Sequence, residues 1–396
     1  MKITVFSQHF WPENFRINDI IFHLARKGAE INVFTGKPNY HGGHIQTKYK
    51  GLKPKIEKIK KVEILRYPIV PRGNASFLRL IINYLSYIIS LTTLPFFYKK
   101  KFGDVFFVYA TSPIFQAIPA LIFGKLFKKP VVLWVQDLWP HNLIDTGYIH
   151  NKIIIKIIYY FVIKIYNFSS LIVCQSDDFY REIKKKTKTK VEILHNPSNF
   201  EFQRKRKFIK NKYFDFYYTG NLGKGQNLTD IIKIFAERRL YEKNIRFIIY
   251  GAGKEFDLIK KKIKNNKYRN VFLHKPITPY KLKKKMKNAH AFILKLNNGH
   301  GLSKTIPAKF QTYLSFGKPI ISINNGITTK IIKQNKIGFT CGVKDFKNLS
   351  KIIIKTKNLK SNKLKEIFKN SEILFKKYFD INISCKKLKN YLEAVL

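Results

Sequence analysis

Residues 303–321 read SKTIPAKFQTYLSFGKPII, and the placing of the breakers in this stretch decides the fold. Pro307 precedes a short amphipathic segment, 309–316, which Gly317 ends. Lys318-Pro319 then turns the chain, and the apolar run from Ile320 begins a strand. Helix, glycine stop, turn and strand in this order are the grammar of an α/β sheet. Lys309 stands just inside the helix start, where unpaired backbone N–H groups favour an anion. Taken alone, the stretch also suits an ordinary helix-to-strand turn without a ligand.

Outward from this stretch the same grammar recurs. Strand 214–218 enters the glycine loop TGNLGKGQNL (219–228), followed by a helix over 227–239. Strand 246–250 runs into Gly251-Ala252-Gly253, and strands at 271–273 and 291–296 flank a helix at 279–287. Ligands of open parallel sheets collect beyond the carboxyl ends of the strands, so these turns and the loop before Lys309 point to one edge. There Gly220, Asn221, Gly251 and Gly253 would let backbone approach a phosphate, Lys224 and Lys309 would supply charge, and Thr312 a hydroxyl for a ribose. Tight turns without a ligand, and a solvated Lys309, are the competing readings.

The first half repeats the alternation, with strands at 2–7, 30–35, 63–67, 105–110, 131–136, 171–175 and 191–194 and helices at 14–27, 114–127 and from 77. Continuous apolar runs between helices predict a parallel sheet covered on both faces. The basic segment 200–212 reads as a linker, and the tail from 361 as helix. At the matching edge, SQHFWPENFRINDI (7–20) gathers Glu13, Asn14 and Arg16 beside Gln8 and His9, and WVQDLWPHNL (134–143) adds Asp137 and His141. Aromatic faces beside carboxylates suit sugar rings, although Asp137 as a helix cap and the tryptophans as core fit as well.

Composition narrows the classes. The chain has 396 residues, 45% of them hydrophobic, enough for two cores. Its 76 basic and 24 acidic residues give +52, but the lysines are spread along the whole chain, which argues against a dedicated nucleic-acid site. The charge suits an anionic membrane face and phosphorylated substrates. Cys174, Cys341 and Cys385 show no paired spacing, so neither a disulfide framework nor a metal site is expected, and a reducing cytoplasm fits. Met1-Lys2 leads straight into a strand, so no signal peptide is expected. Two apolar segments, 77–98 and 153–168, are interrupted by Arg79, Asn83 and Pro95 and by Lys156 and Lys164. They read as apolar helices of a folded domain, with lipid contact open.

The ordered series FWPE, RIND, RKG, FTGKPNYHGG, TSP, VQDLWP, HNP, YTGNLG, PAK and YLSFGKPI resembles retaining glycosyltransferases of family GT4. The likeness is to the bacterial O-antigen and exopolysaccharide type, near the fucosamine-transferase-like branch. The resemblance implies an α/β GT-B fold, two Rossmann-like doubly wound domains facing a cleft. Residues 1–200 would bind the acceptor, 201–378 an NDP-sugar, and 379–396 would cross back to the first domain. It implies transfer from an NDP-sugar, UDP foremost, to a lipid-diphosphate-linked saccharide of a surface polysaccharide. The enzyme would need no metal and no cofactor, and would sit on the cytoplasmic face of an anionic inner membrane. By position Lys224 and Lys309 would hold the diphosphate, with Gly220, Asn221, Gly251 and Gly253 around the nucleotide. Asp137 would lie beside the acceptor, with Glu13, Asn14, Arg16 and His141 near it.

The sequence also departs from the family. Its two usual glutamates fall on Lys304 and Thr312. Thr312 can bond a ribose hydroxyl, but an ammonium accepts no hydrogen bond, so Lys304 implies a different donor, a deoxy-amino or acidic sugar. The usual Gly-Gly loop is replaced by Asn14-Phe15-Arg16. Two other readings stay open, a non-catalytic basic protein that binds membrane or nucleic acid, and a two-domain sugar-nucleotide epimerase.

Overall fold

Runs such as VFFVYA and VVLWV offer no polar face, and both are buried along their whole length. Such strands belong inside a parallel sheet with helices on both sides. The computed structural model describes residues 1–40, 42–145, 147–203 and 212–396. It contains two such sheets, in two units: Met1–Pro197 with Ile381–Leu396, and Ser198–Asp380.

The first unit has strands β1 (Lys2–Phe6), β2 (Glu30–Gly36), β3 (Lys55–Ile59), β4 (Val62–Tyr67), β5 (Val105–Ala110), β6 (Val131–Val135), β7 (Leu171–Cys174) and β8 (Val191–Ile193). Their order is β3-β4-β2-β1-β5-β6-β7-β8. All pairs are parallel except β3 with β4. The chain winds away from β1 in both directions, so the switch point lies between β1 and β5. Helices Phe77–Thr93, Ile118–Leu126 and Lys152–Phe168 cover one face. Helices Arg16–Arg26 and Ile381–Glu393 cover the other.

Sequence reading places no strand at β3. Its KIEKI alternates half-buried and exposed positions with lysines, the composition of a charged edge strand and weak as a signal. The expected helix 114–127 begins as a 3-10 turn, Ile114–Ala117. The apolar segment from Phe77 continues as a 3-10 helix, Leu94–Lys101, that kinks at Tyr98. The 25-residue span Phe77–Lys101 is long and apolar enough to cross a membrane, yet its inner stripe, with Tyr87 and Leu91 at 0% exposure, is sheet-covering core.

The second unit has β9 (Phe214–Asn221), β10 (Ile245–Ala252), β11 (Val271–His274), β12 (Ala291–Lys295), β13 (Ile320–Ile323) and β14 (Gly338–Cys341). They are all parallel, in the order β11-β10-β9-β12-β13-β14, with the switch point between β9 and β12. β14 is absent from the sequence reading, since GFTC begins on a glycine and lacks a β-branched run. The expected helix 227–239 is two helices, Thr229–Phe235 and Arg238–Glu242.

The unit boundaries fall at Pro197/Ser198 and Asp380/Ile381, whereas the sequence places them at 200/201 and 378/379. Of the expected linker, residues 204–211 lie outside the described residues. The residues just before them are packed: Phe200 belongs to the second unit's core, and Phe202 meets Phe368 and Phe375. Beyond helix Ser361–Tyr378 the chain rejoins the first unit, where Cys385, Leu388 and Leu392 are buried in the same core as Ile17, Ile20 and Ile21.

Candidate active site

The second unit's carboxyl edge is assembled by contacts that only glycine permits. A Cβ on Gly251 would lie 2.2 Å from the Gly220 carbonyl oxygen, and one on Gly253 would lie 2.3 Å from that of Leu222. Leu222 N donates to Ala252 O at 2.8 Å, locking the loops after β9 and β10 together. The loop after β9 is tied in turn to the end of β12. Asn297 N donates to Gly225 O (2.8 Å), and Asn297 Nδ2 to Lys224 O (2.7 Å). Among the described residues, no hydrogen bond occupies the amides of Gly223, Lys224 and Gly225. Successive free amides in a turn are an anion-binding concavity.

Lys309 reaches this edge from helix Ala308–Leu314. Its Nζ lies 3.9 Å from the centroid of the Tyr218 ring and donates to Tyr218 Oη, which itself donates to Asn221 O at 2.7 Å. A Cβ on Gly220 would stand 3.5 Å from Lys309 Nζ, so lysine and glycine turn are adjacent. No carboxylate pairs with this ammonium among the described residues, and burial pushes its pKa from 10.5 down to about 7. Burial likewise holds the Tyr218 phenol well above 10.0, so it stays a neutral donor to Asn221. An arriving anion would find Lys309 already aimed and would favour its charged form. The helix has seven residues, so the edge's affinity for an anion rests on this ammonium and the loop amides more than on a helix terminus.

The other sequence-predicted groups here differ in setting. The Lys224 side chain is exposed beside the free amides. Thr312, 9% exposed, donates to Asn199 Oδ1 at 3.0 Å and to Ala308 O at 3.2 Å, so its hydroxyl is spent on the start of its own unit. Lys304 Nζ lies 3.2 Å from His300 Nε2. Sequence reasoning missed Tyr218, Asn297 and Lys295. Lys295 is 1% exposed at the end of β12, and its Nζ donates to Asn297 Oδ1 at 2.9 Å. Burial pushes its pKa down to about 8, with Asp230 opposing. The signal was present, since a lysine closing the buried strand AFILK needs a partner at the strand end.

In the first unit the corresponding edge is a polar lattice. Glu13 is 3% exposed and engaged at both oxygens. Its Oε2 lies 2.9 Å from His9 Nδ1, and its Oε1 accepts from the amides of Asn39 (2.6 Å) and Tyr40. Burial raises its pKa, but His9 and the two amides outweigh that and hold it below 4.5. Glu13 therefore orders His9 and the loop after β2, and Phe15 stacks on His9 with centroids 4.9 Å apart. Asn14 is exposed. Arg16 donates to Pro197 O.

Asp137 follows β6. Its Oδ2 accepts from Ser112 N (3.0 Å) and Ser112 Oγ (2.8 Å), and its Oδ1 from Asn142 Nδ2 (2.8 Å). Burial raises its pKa above 3.8, and these three bonds restrain the rise. His141 Nε2 lies 2.6 Å from Tyr159 Oη, which also accepts from Lys186 Nζ at 2.8 Å. Ser112 and Asn142, the partners of Asp137, were not singled out in the sequence.

Residues 199–373 match the family model described as Glycosyl transferases group 1. The second unit matches the group 1 glycosyl transferases. No curated relative matches the chain by sequence. Among solved structures, sucrose-phosphate synthase from Thermosynechococcus elongatus is similar with a TM-score of 0.74 at 11% identity, covering 100% of this chain and 98% of that one. Anabaena HepE, solved with UDP and glucose, gives 0.68 at 13% identity, with both chains covered 100%. A UDP-forming trehalose-phosphate synthase from Burkholderia xenovorans, in complex with glucose-6-phosphate, gives 0.71 at 9% identity over 99% of each chain. At these identities the likeness shows the fold: two parallel-sheet Rossmann-like units of GT-B type.

Proposed function

We propose that the chain is a retaining glycosyltransferase that moves a sugar from an NDP-sugar, UDP foremost, to a lipid-diphosphate-linked saccharide in surface polysaccharide synthesis. The observation that carries this is Lys309, a half-buried ammonium that has no carboxylate partner among the described residues and is aimed by Tyr218 at a glycine turn, near three loop amides to which no described residue bonds. Such an edge suits an anion, and the diphosphate of a nucleotide is one. The group 1 match over the same residues, and the UDP held by HepE, support the donor class.

In this reading the second unit binds the donor. Lys309, Lys224 and the amides of residues 223–225 meet the negative charge that grows on the departing diphosphate, without a metal. The first unit receives the acceptor, with the rings of Phe15 and Tyr40, which pack on the buried His9, offering faces to sugar rings. The acceptor hydroxyl attacks the anomeric carbon on the side from which the diphosphate leaves, the C–O bond to phosphate breaks, and the hydroxyl proton passes to the departing phosphate. Asp137, held by Ser112 and Asn142, supports that proton transfer. With Thr312 already bonded, the ribose needs another partner. Lys304, which accepts no hydrogen bond, points to a different donor, a deoxy-amino or acidic sugar. The placement is cytoplasmic, where nucleotide sugars are available.

The test is a panel of NDP-sugars incubated with a short synthetic polyprenyl-diphosphate saccharide, with products read by mass spectrometry and anomeric configuration by NMR. Transfer with retained configuration is expected. Release of epimerised or free sugar without acceptor dependence would favour an epimerase, and no turnover of any donor would remove the transferase reading.

A further inference from the structure

Three neighbouring helices of the first unit are apolar on both sides. Their inner stripes are core, and a helix laid on a sheet ordinarily turns a polar stripe to water. Here the outer positions are apolar too. On Phe77–Thr93, Leu85 is 52% and Ile89 63% exposed, and on the 3-10 segment that follows, Phe97 is 81% exposed. Leu126 is 63% exposed on Ile118–Leu126, and Ile153 and Phe161 are 70% and 49% exposed on Lys152–Phe168. The first helix packs on the second and the second on the third, so these side chains stand on neighbouring helices over one face of the sheet. Scattered exposed leucines are normal, but a patch of this extent marks an interaction site.

The charge of the patch says what covers it. Residues 77–101, 114–129 and 152–168 contain no aspartate or glutamate. They do contain exposed Arg79, Lys99, Lys100, Lys125, Lys156 and Lys164. A second copy of the chain would bring the same all-basic face and be repelled. Anionic headgroups complement it, while the apolar stripe enters the acyl boundary. Asn83, 0% exposed, and the core contacts of Tyr87 and Leu91 keep the first helix on the sheet rather than across a bilayer. We propose that this face is a monotopic docking surface for an anionic membrane.

The same helix orders the proposed acceptor edge. Asn83 Oδ1 accepts from Gln8 Nε2 at 2.8 Å, and Asn83 Nδ2 donates to Val70 O at 2.6 Å and to Asn39 Oδ1 at 3.3 Å. Loops after β1, β2 and β4 are thus pinned to the helix that lies on the lipid. At its start Phe77 stacks on Tyr148 with centroids 6.3 Å apart, carrying the apolar surface to the carboxyl edge of the sheet. Resting on the function proposed above, a lipid-linked acceptor then meets the edge without leaving the bilayer.

The experiment is co-sedimentation of the full chain with phosphatidylcholine vesicles, with and without phosphatidylglycerol, at low and high salt. Wild type is compared with the double variant Leu85→Glu/Ile89→Glu, with Phe97→Glu, and with Ile373→Glu, a control at a 56% exposed position of the second unit that carries the same added charge as Phe97→Glu. Circular dichroism and UDP binding, read separately, keep folding and the proposed function apart from docking. Expected is binding to phosphatidylglycerol vesicles that weakens about ten-fold or more in the face variants and is unchanged in the control. The proposal is overturned if all four proteins bind alike, if folded wild type binds no vesicle, or if lipid-free wild type is a dimer that the face variants convert to monomer.

Discussion

Lys309 concentrates what the second unit can do. Its charge is disfavoured by burial and unpaired by any described carboxylate, so removing it costs function rather than stability. Lys309 and Lys295 titrate near 7 and near 8 in the folded chain, below the ordinary 10.5. From about pH 7 to 10.5 the unfolded chain therefore holds more protons than the folded one, and their contribution makes stability rise with pH across that window. Denaturant titrations at several pH values should show the rise, flattened in Lys309→Met. Affinity runs the other way. An NDP-sugar, whose diphosphate charge is constant there, binds the charged lysine, so affinity falls as pH climbs above about 7, with proton uptake visible by calorimetry in buffers of different ionisation enthalpy. Asp137→Asn should slow transfer by about a hundred-fold or more while leaving nucleotide affinity unchanged. Sequence reading reached Lys309, Gly220 and Gly251 because glycine and a basic residue at strand ends carry a local signal. It could not reach Tyr218, Asn297 or Ser112, whose roles exist only after separate strands meet.

At the level of elements, the buried strands were legible because an unbroken apolar run admits few other fates, and Val105–Ala110 falls where the sequence places it. β3 and β14 were not legible, since a lysine-rich edge strand and a glycine-led one lack that run. The helix Phe77–Thr93 shows a subtler limit. Its length and apolarity would also suit a membrane span, and the burial of Asn83, Tyr87 and Leu91 with the partners of Asn83 reveals which side is inside. Replacing Asn83 by leucine strands the Gln8 amide and the Val70 carbonyl in a buried setting. The expected loss is about 2–4 kcal/mol, read as a lower denaturation midpoint, with nucleotide binding preserved once the protein is folded.

The whole chain is two cores threaded by a path that leaves the first unit at Pro197 and returns at Ile381. The closing helix is structural: Leu388 is 0% exposed in the first unit's core. Leu388→Ala should destabilise that unit by about 2–5 kcal/mol and leave nucleotide affinity, which belongs to the second unit, unchanged. The net charge of +52, which reads at first as a nucleic-acid signal, resolves into lysines spread over both units, among them an acid-free apolar face on the first. The central claim is that the carboxyl edge of the second unit holds a nucleotide diphosphate through Lys309. Calorimetric titration of UDP into wild type and Lys309→Met tests it most directly. The account predicts saturable binding by wild type and binding about ten-fold weaker or worse in a folded variant; equal affinity in both proteins, or no binding by folded wild type, would contradict it.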